Sequence, residues 1–185
     1  MIAVGLRGEL RVQKGSNVDK HETKREGRYR LIRVADGRDV LELFDEALGA
    51  PERYSEIVVS SPFVDQAGMA ILDRLRSSSM SEGQRVRVVV TPSIAAELRS
   101  RWSEGVRGFE IVEQPRLHAK VYALVGRRQA DSKALITSAN LTCGGMARNL
   151  EAGVRITGSE QDHLAMIERV ASRVAIGDSQ QRRAR

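Results

Sequence analysis

The stretch from residue 57 to residue 112 contains three short apolar runs, which read Ile57-Val-Val-Ser60, Arg85-Val-Arg-Val-Val-Val90 and Phe109-Glu-Ile-Val112. Each is rich in β-branched or aromatic residues and has the length of a buried strand. Residues 67–75 and 93–102, which lie between the runs, carry apolar residues at helical spacing. Because strands that alternate with helices pair in parallel and are covered by those helices, this stretch predicts an α/β fold.

The sequence on either side extends the same domain. Asp36 is placed to cap the first helix, and Gly177 follows the last one. The further predicted elements are a helix over 38–48, strands over 117–124, 134–138 and 152–156, and a final helix that begins after Ser159. The whole predicts one domain over residues 36–177, built on a mixed, mostly parallel β-sheet that is flanked by helices on both faces.

Charged segments flank this domain. Residues 1–35 are interpreted as a basic N-terminal extension, in which residues 14–30 hold six lysines or arginines among acidic residues. Within it, only the loosely alternating residues 2–12 suggest a strand. Residues 178–185 hold three arginines and are predicted to form a basic, disordered tail.

Length, charge and cysteine content limit the class of protein. A chain of 185 residues suits one domain with a core of its own. Its net charge of +6 and pI of about 10.0 favour a polyanionic partner, whereas 4% aromatic residues are too few for a stacking platform. The single cysteine, Cys143, excludes an internal disulfide and a multi-thiolate zinc site, and it fits a cytoplasmic location. Without a long apolar run or signal peptide, no membrane partner is expected.

His118 and Lys120 lie two residues apart in the apolar run 116–124, which reads RLHAKVYAL. In a strand their side chains share a face, where two cations repel unless an anion lies between them. Ser138 and Asn140 repeat this spacing after the next apolar run, and strand pairing would bring all four residues to one end of the sheet. A histidine, a fixed positive charge and two neutral donors suit a phosphate group. The alternative is a histidine at the rim beside a lysine whose stem covers apolar surface.

The pattern His118-x-Lys120 followed by Ser138-x-Asn140 resembles the HKD motif of the phospholipase D superfamily. The residues that follow it, Gly144-Gly145, Asn149 and Glu151, resemble those of its nuclease-like members. The resemblance extends over about residues 38–175. It implies a phospholipase D-like fold and a metal-independent, two-step phosphoryl transfer that needs no cofactor.

By that resemblance each site residue has a role. His118 would attack phosphorus and form a phosphohistidine, and a second histidine would protonate the leaving oxygen. Lys120 and Asn140 would hold the non-bridging oxygens, with Ser138 donating nearby. Glu151 would orient the imidazole, as a carboxylate does in a catalytic triad.

The sequence departs from the family pattern at two motif positions. Val125 stands where the pattern has an aspartate, and Thr137 stands where a glycine usually precedes the serine. Asp131 lies in a longer connection than usual and does not align with the motif aspartate. In the family that aspartate is considered supportive, so its loss does not exclude activity.

The chain carries one copy of a motif that the mechanism needs twice, since neither His21 nor His163 is followed by a lysine two residues on. We therefore expect a two-fold homodimer with a shared active site. The resemblance and the basic charge favour a nuclease acting on DNA or RNA, within a larger processing or phage-defence complex. The alternatives are a non-catalytic nucleic-acid-binding module and a lipid phosphodiesterase.

Overall fold

The computed structural model describes residues 32–102, 105, 107–158 and 161–175. Within them, seven strands form one sheet in the order β1-β7-β6-β5-β2-β3-β4. The strands are β1 (Ile32–Ala35), β2 (Tyr54–Ser60), β3 (Arg85–Val90), β4 (Phe109–Glu113), β5 (Lys120–Gly126), β6 (Lys133–Thr137) and β7 (Gly153–Thr157). The helices are α1 (Arg38–Gly49), α2 (Gln66–Glu82), α3 (Pro92–Arg101) and α4 (Gln161–Ala175).

Helices cover both faces of this sheet. The larger core lies on one face and contains the buried apolar residues of α1, α2 and α3, among them Leu43, Leu72 and Leu98. On the other face α4 packs Ile167 and Ala171 against the central strands. The predicted α/β fold, a mixed sheet with helices on both faces, is confirmed.

The expectation that the sheet is mostly parallel is wrong. In the described part of the chain only β2–β3 and β3–β4 pair in parallel, and the other four pairings are antiparallel. The reason lies in a short connection, since six residues join β4 to β5. Six residues span about 20 Å at most, which is too short to return along the sheet to its opposite edge. The chain therefore re-enters at the edge it has just left, and β5 runs antiparallel to β2.

The sheet reaches into the segment that the sequence assigns to the N-terminal extension. Residues 32–35 form β1, which pairs with β7 in the register Val34↔Val154. The predicted strand at 2–12, the cap at Ser159 and the tail at 178–185 lie outside the described residues.

Helix α2 continues past the serines that the sequence pattern places at its end. Two of them bond back to helix carbonyls, Ser77 Oγ to Asp73 O at 3.0 Å and Ser79 Oγ to Arg76 O at 2.9 Å. This back-bonding lets serine remain inside a helix. The helix ends at Gly83, whose φ of 62° is left-handed.

Candidate active site

One edge of the sheet gathers the residues that the motif singles out. Lys120 begins β5 and pairs with Thr137, the last residue of β6, which in turn pairs with Gly153 at the start of β7. Residues just beyond these positions, namely His118, Ser138 and Glu151, therefore leave the sheet at the same edge. The predicted convergence on one end of the sheet agrees with this register.

His118 lies in the loop before β5 and not inside the strand that the sequence predicts. Its neighbour Ala119 is fixed, because the Ala119 carbonyl accepts a hydrogen bond from Ser60 Oγ at 3.0 Å. The His118 side chain is exposed and has no hydrogen-bond or ion-pair partner in the part of the chain that the structure describes. The half-buried Lys120 ammonium likewise has no carboxylate partner among the described residues. An unengaged imidazole and an unengaged cation are thus both available to an anion.

Ser138 and Glu151 form a hydrogen-bonded unit beside this edge. Ser138 Oγ donates to Glu151 Oε2 and accepts from the backbone N–H of Ala152 at 3.1 Å. The other carboxylate oxygen, Glu151 Oε1, accepts from Asn149 Nδ2 at 3.3 Å. Neither of these partners is His118, so the carboxylate holds the serine and the asparagine in this structure. A carboxylate has about four acceptor positions, which leaves capacity for a further donor.

Asn140 lies in a loop that several buried groups hold in place. The Tyr122 hydroxyl donates to Ala139 O at 2.9 Å, and the backbone N–H of Leu141 donates to Ser61 Oγ at 2.9 Å. Burial raises the pKa of Tyr122 far above its ordinary value, so its hydroxyl stays protonated and can donate. Asn140 Oδ1 is itself buried and without a partner among the described atoms. Buried polar oxygens rarely stay unpaired, so this oxygen can accept a further hydrogen bond, whereas only Nδ2 of the same amide can donate to an anion.

Asp65 is a supporting residue that the sequence reasoning missed. Its Oδ1 accepts from the N–H groups of Ala67 and Gly68 as the N-cap of α2, while Oδ2 accepts from the Cys143 N–H at 2.8 Å. One carboxylate therefore joins the start of a helix to the loop after Asn140. Its place just before a helical apolar pattern is a cap signal that could have revealed half of this role.

Of the two motif departures, Thr137 lies at the site edge beside Lys120, and Val125 lies away from the site. Val125 pairs with Glu56 towards the far end of β5. Asp131, which is 5% exposed, lies near that end and is bonded to Arg53 and Arg128. Hydrogen bonds from these arginines hold the pKa of Asp131 below its usual range. The aspartate and both arginines stabilise the end of β5 opposite the site.

Neither a metal site nor a membrane-spanning helix is present in the described ranges. No group of three or more His, Cys, Asp or Glu side chains is gathered there in a way that could hold a metal ion. None of the helices described is long and apolar enough to cross a membrane.

A mixed seven-stranded sheet with helices on both faces is the fold of the phospholipase D superfamily. The chain belongs to that superfamily, since residues 46–171 match the family described as "Cardiolipin synthase, PLD-like domain". Phosphodiester chemistry is the general activity of this class. No curated protein matches the sequence.

Solved structures share the fold at low sequence identity. NucT from Helicobacter pylori is 11% identical with a TM-score of 0.52, and the match covers 77% of this chain and 95% of that one. Polyphosphate kinase from Porphyromonas gingivalis is 20% identical with a TM-score of 0.52, covering 80% of this chain and 27% of that one. Phosphatidylserine synthase from Haemophilus influenzae is 15% identical with a TM-score of 0.53, covering 75% and 35%. The chain thus spans about a third or less of the two longer proteins.

Proposed function

We propose that this protein is a metal-independent phosphodiesterase that cleaves DNA or RNA. The observation that carries the proposal is the exposed, unengaged His118 beside Lys120 at a sheet edge. A net charge of +6 and the structural match to NucT, which covers 95% of that chain, support a nucleic-acid substrate.

The proposed reaction has two balanced steps. In the first, an imidazole nitrogen of His118 attacks phosphorus, so that a P–N bond forms while the P–O bond to the leaving group breaks. The leaving oxygen takes its proton from a second imidazole. In the second step, water attacks phosphorus, gives a proton back to that imidazole and releases His118. Lys120 and Nδ2 of Asn140 donate to the charged phosphate oxygens, and Ser138 donates nearby once its single hydroxyl proton turns away from Glu151.

The second imidazole is proposed to come from His118 of the partner subunit in a homodimer. This proposal is supported by a row of exposed apolar side chains on three neighbouring strands, one residue in from the site edge. The row consists of Val34, which is 82% exposed, Val154, which is 40% exposed, and Ile136, which is 39% exposed. Three adjacent exposed aliphatic side chains are typical of a surface that a partner covers. A second copy docked on this row would lie close to the histidine loop.

A lipid phosphodiester is the second candidate substrate. Phe63, which is 64% exposed, follows β2 at the site edge, and Leu150, which is fully exposed, precedes Glu151 there. Exposed apolar side chains beside a phosphate site would suit a lipid interface. The altered motif at Val125 keeps a third possibility open, which is a module that binds nucleic acid without cleaving it.

The deciding experiment measures cleavage of single- and double-stranded DNA and RNA in EDTA, for the wild type and His118→Ala. His163→Ala, a histidine change on α4, is the matched control. We expect cleavage that EDTA does not inhibit, that His118→Ala abolishes and that the control retains. Hydrolysis of anionic phospholipid vesicles without nucleic-acid cleavage would identify the lipid enzyme. Binding of nucleic acid without any hydrolysis would refute catalysis.

A further inference from the structure

A basic hollow lies immediately beside His118, on the side towards α4. It has a volume of 460 Å³ and is lined by the chain before β5 together with the last turn of α4, including Gln114, Arg116 and Arg173. His118 lines the same hollow. The hollow and the reacting imidazole are therefore contiguous, while the hollow itself is not built from the other motif residues.

The charge of this hollow is unbalanced. Arg116 and Arg173 are exposed, no carboxylate lines the space, and neither arginine has an ion-pair partner among the described residues. Many arginines elsewhere are paired with carboxylates, namely Arg53, Arg87, Arg99, Arg101, Arg128 and Arg155. Two unpaired guanidinium groups at one cavity create a local positive potential that attracts phosphate.

Gln114 adds an unsatisfied acceptor to this hollow. Its backbone is fixed, because its N–H donates to Val90 O at 2.9 Å and its carbonyl accepts from the Leu117 N–H at 3.1 Å. Its side-chain Oε1 is buried and has no partner among the described atoms. A phosphate oxygen offers no proton to this acceptor, but a sugar hydroxyl or a base amino group does. The chemistry of the hollow therefore fits a nucleotide better than an isolated phosphate ion.

We propose that this hollow binds the nucleotide next to the scissile phosphodiester, with Arg116 and Arg173 on its phosphate and Gln114 accepting from its sugar or base. The inference rests on the proposed nuclease function and names the part of the chain that places the strand. His118 then reacts with one phosphate while the neighbouring one is held. Binding at two consecutive phosphates selects a polymer over a small phosphodiester.

The test compares two substrates, of which only one has a second phosphate next to the scissile phosphodiester. Bis(p-nitrophenyl) phosphate has one phosphodiester, whereas a single-stranded oligonucleotide of 12 nucleotides (the 12-mer) has further phosphates on either side of the scissile one. The measured quantity is the ratio of kcat/KM for the 12-mer to kcat/KM for the small diester. Arg173→Ala is expected to lower this ratio about tenfold, the loss of one charge-assisted contact, and to make the salt dependence shallower by about 0.7 in log–log slope. Arg173→Lys restores part of the ratio because it restores the charge. Arg74→Ala, an exposed arginine on α2, is the matched control and keeps the wild-type ratio.

The outcomes separate this inference from the proposed function. If His118 is needed for cleavage but Arg173→Ala and Arg74→Ala give the same ratio, the hollow does not bind the strand while the function stands. If nothing is cleaved, the proposed function fails, and equilibrium binding of the 12-mer then decides on the hollow. Equal affinity of wild type and the Arg116→Ala/Arg173→Ala variant would overturn the inference, and a weaker, less salt-sensitive variant would support it.

Discussion

Replacing Asp65 by alanine should loosen the loop that carries Asn140 and destabilise the whole fold. The carboxylate caps α2 through two N–H groups and holds the Cys143 N–H at 2.8 Å. Loss of an N-cap costs about 0.5–2 kcal/mol, and loss of a charged hydrogen bond costs about 1.5–3 kcal/mol. Because Asp65 is half-buried, we expect a fall of about 2–4 kcal/mol in the free energy of unfolding.

The assay is urea denaturation followed by circular dichroism. With an m value of about 2 kcal/mol/M for a chain of this size, the midpoint should fall by about 1–2 M. Asp65→Asn keeps a side-chain oxygen at the cap and should lose less than alanine does. Asp45→Ala removes an exposed aspartate on α1 and should change the free energy of unfolding by less than about 0.5 kcal/mol. The reasoning would be refuted if the urea midpoints of Asp65→Ala and Asp45→Ala differed by less than about 0.3 M, which is roughly the scatter of such measurements.

Three further predictions test other parts of the structure. In Gly145→Ala, the new methyl group would lie 2.5 Å from the backbone oxygen and 2.7 Å from the backbone nitrogen of Asn140. The free energy of unfolding should therefore fall by about 1–3 kcal/mol, and cleavage should become slower. Gly49→Ala, whose new methyl group would have nothing within 4 Å, is the neutral control. Asp131→Asn should lower the urea midpoint at pH 7, but the difference from wild type should shrink at pH 3, because a lowered carboxylate pKa contributes stability that is lost as the pH falls through it. An undiminished difference at pH 3 would contradict that assignment. Val154→Asp places a charge in the exposed apolar row. Light scattering should then show a monomer, and the cleavage assay should show no activity. An active monomer would exclude the shared site.

The sequence was sufficient for the elements whose cause is local. Runs such as residues 85–90 are strands because β-branched residues fit a pleated, buried surface, and the predicted and observed bounds of β3 agree. The strand directions were not predictable in the same way, since they depend on where the short connection between β4 and β5 can reach.

The candidate site likewise has features that the local sequence predicts and features that depend on the tertiary fold. The spacing of His118 and Lys120 was visible in the sequence, and the register of β5 with β6 places Lys120 beside the residue before Ser138. The partners of Glu151 were not visible, because they depend on how the loop after β6 folds back on β7. Long-range ties such as Asp65 to Cys143, 78 residues apart, leave no periodic trace in the sequence.

Ser60 and Ser61 stand at the end of β2, and each holds one of the two loops of the site: Ser60 bonds the carbonyl after His118, and Ser61 accepts from the N–H after Asn140. The distance between the two loops is thereby set by one peptide unit of a central strand. The connection from β5 to β6 turns at the opposite edge of the sheet, so a change in its length does not alter the positions of the reacting groups. Ala130, an exposed residue of that far turn, is therefore a place where a fluorescent label or an affinity tag can be attached away from the chemistry.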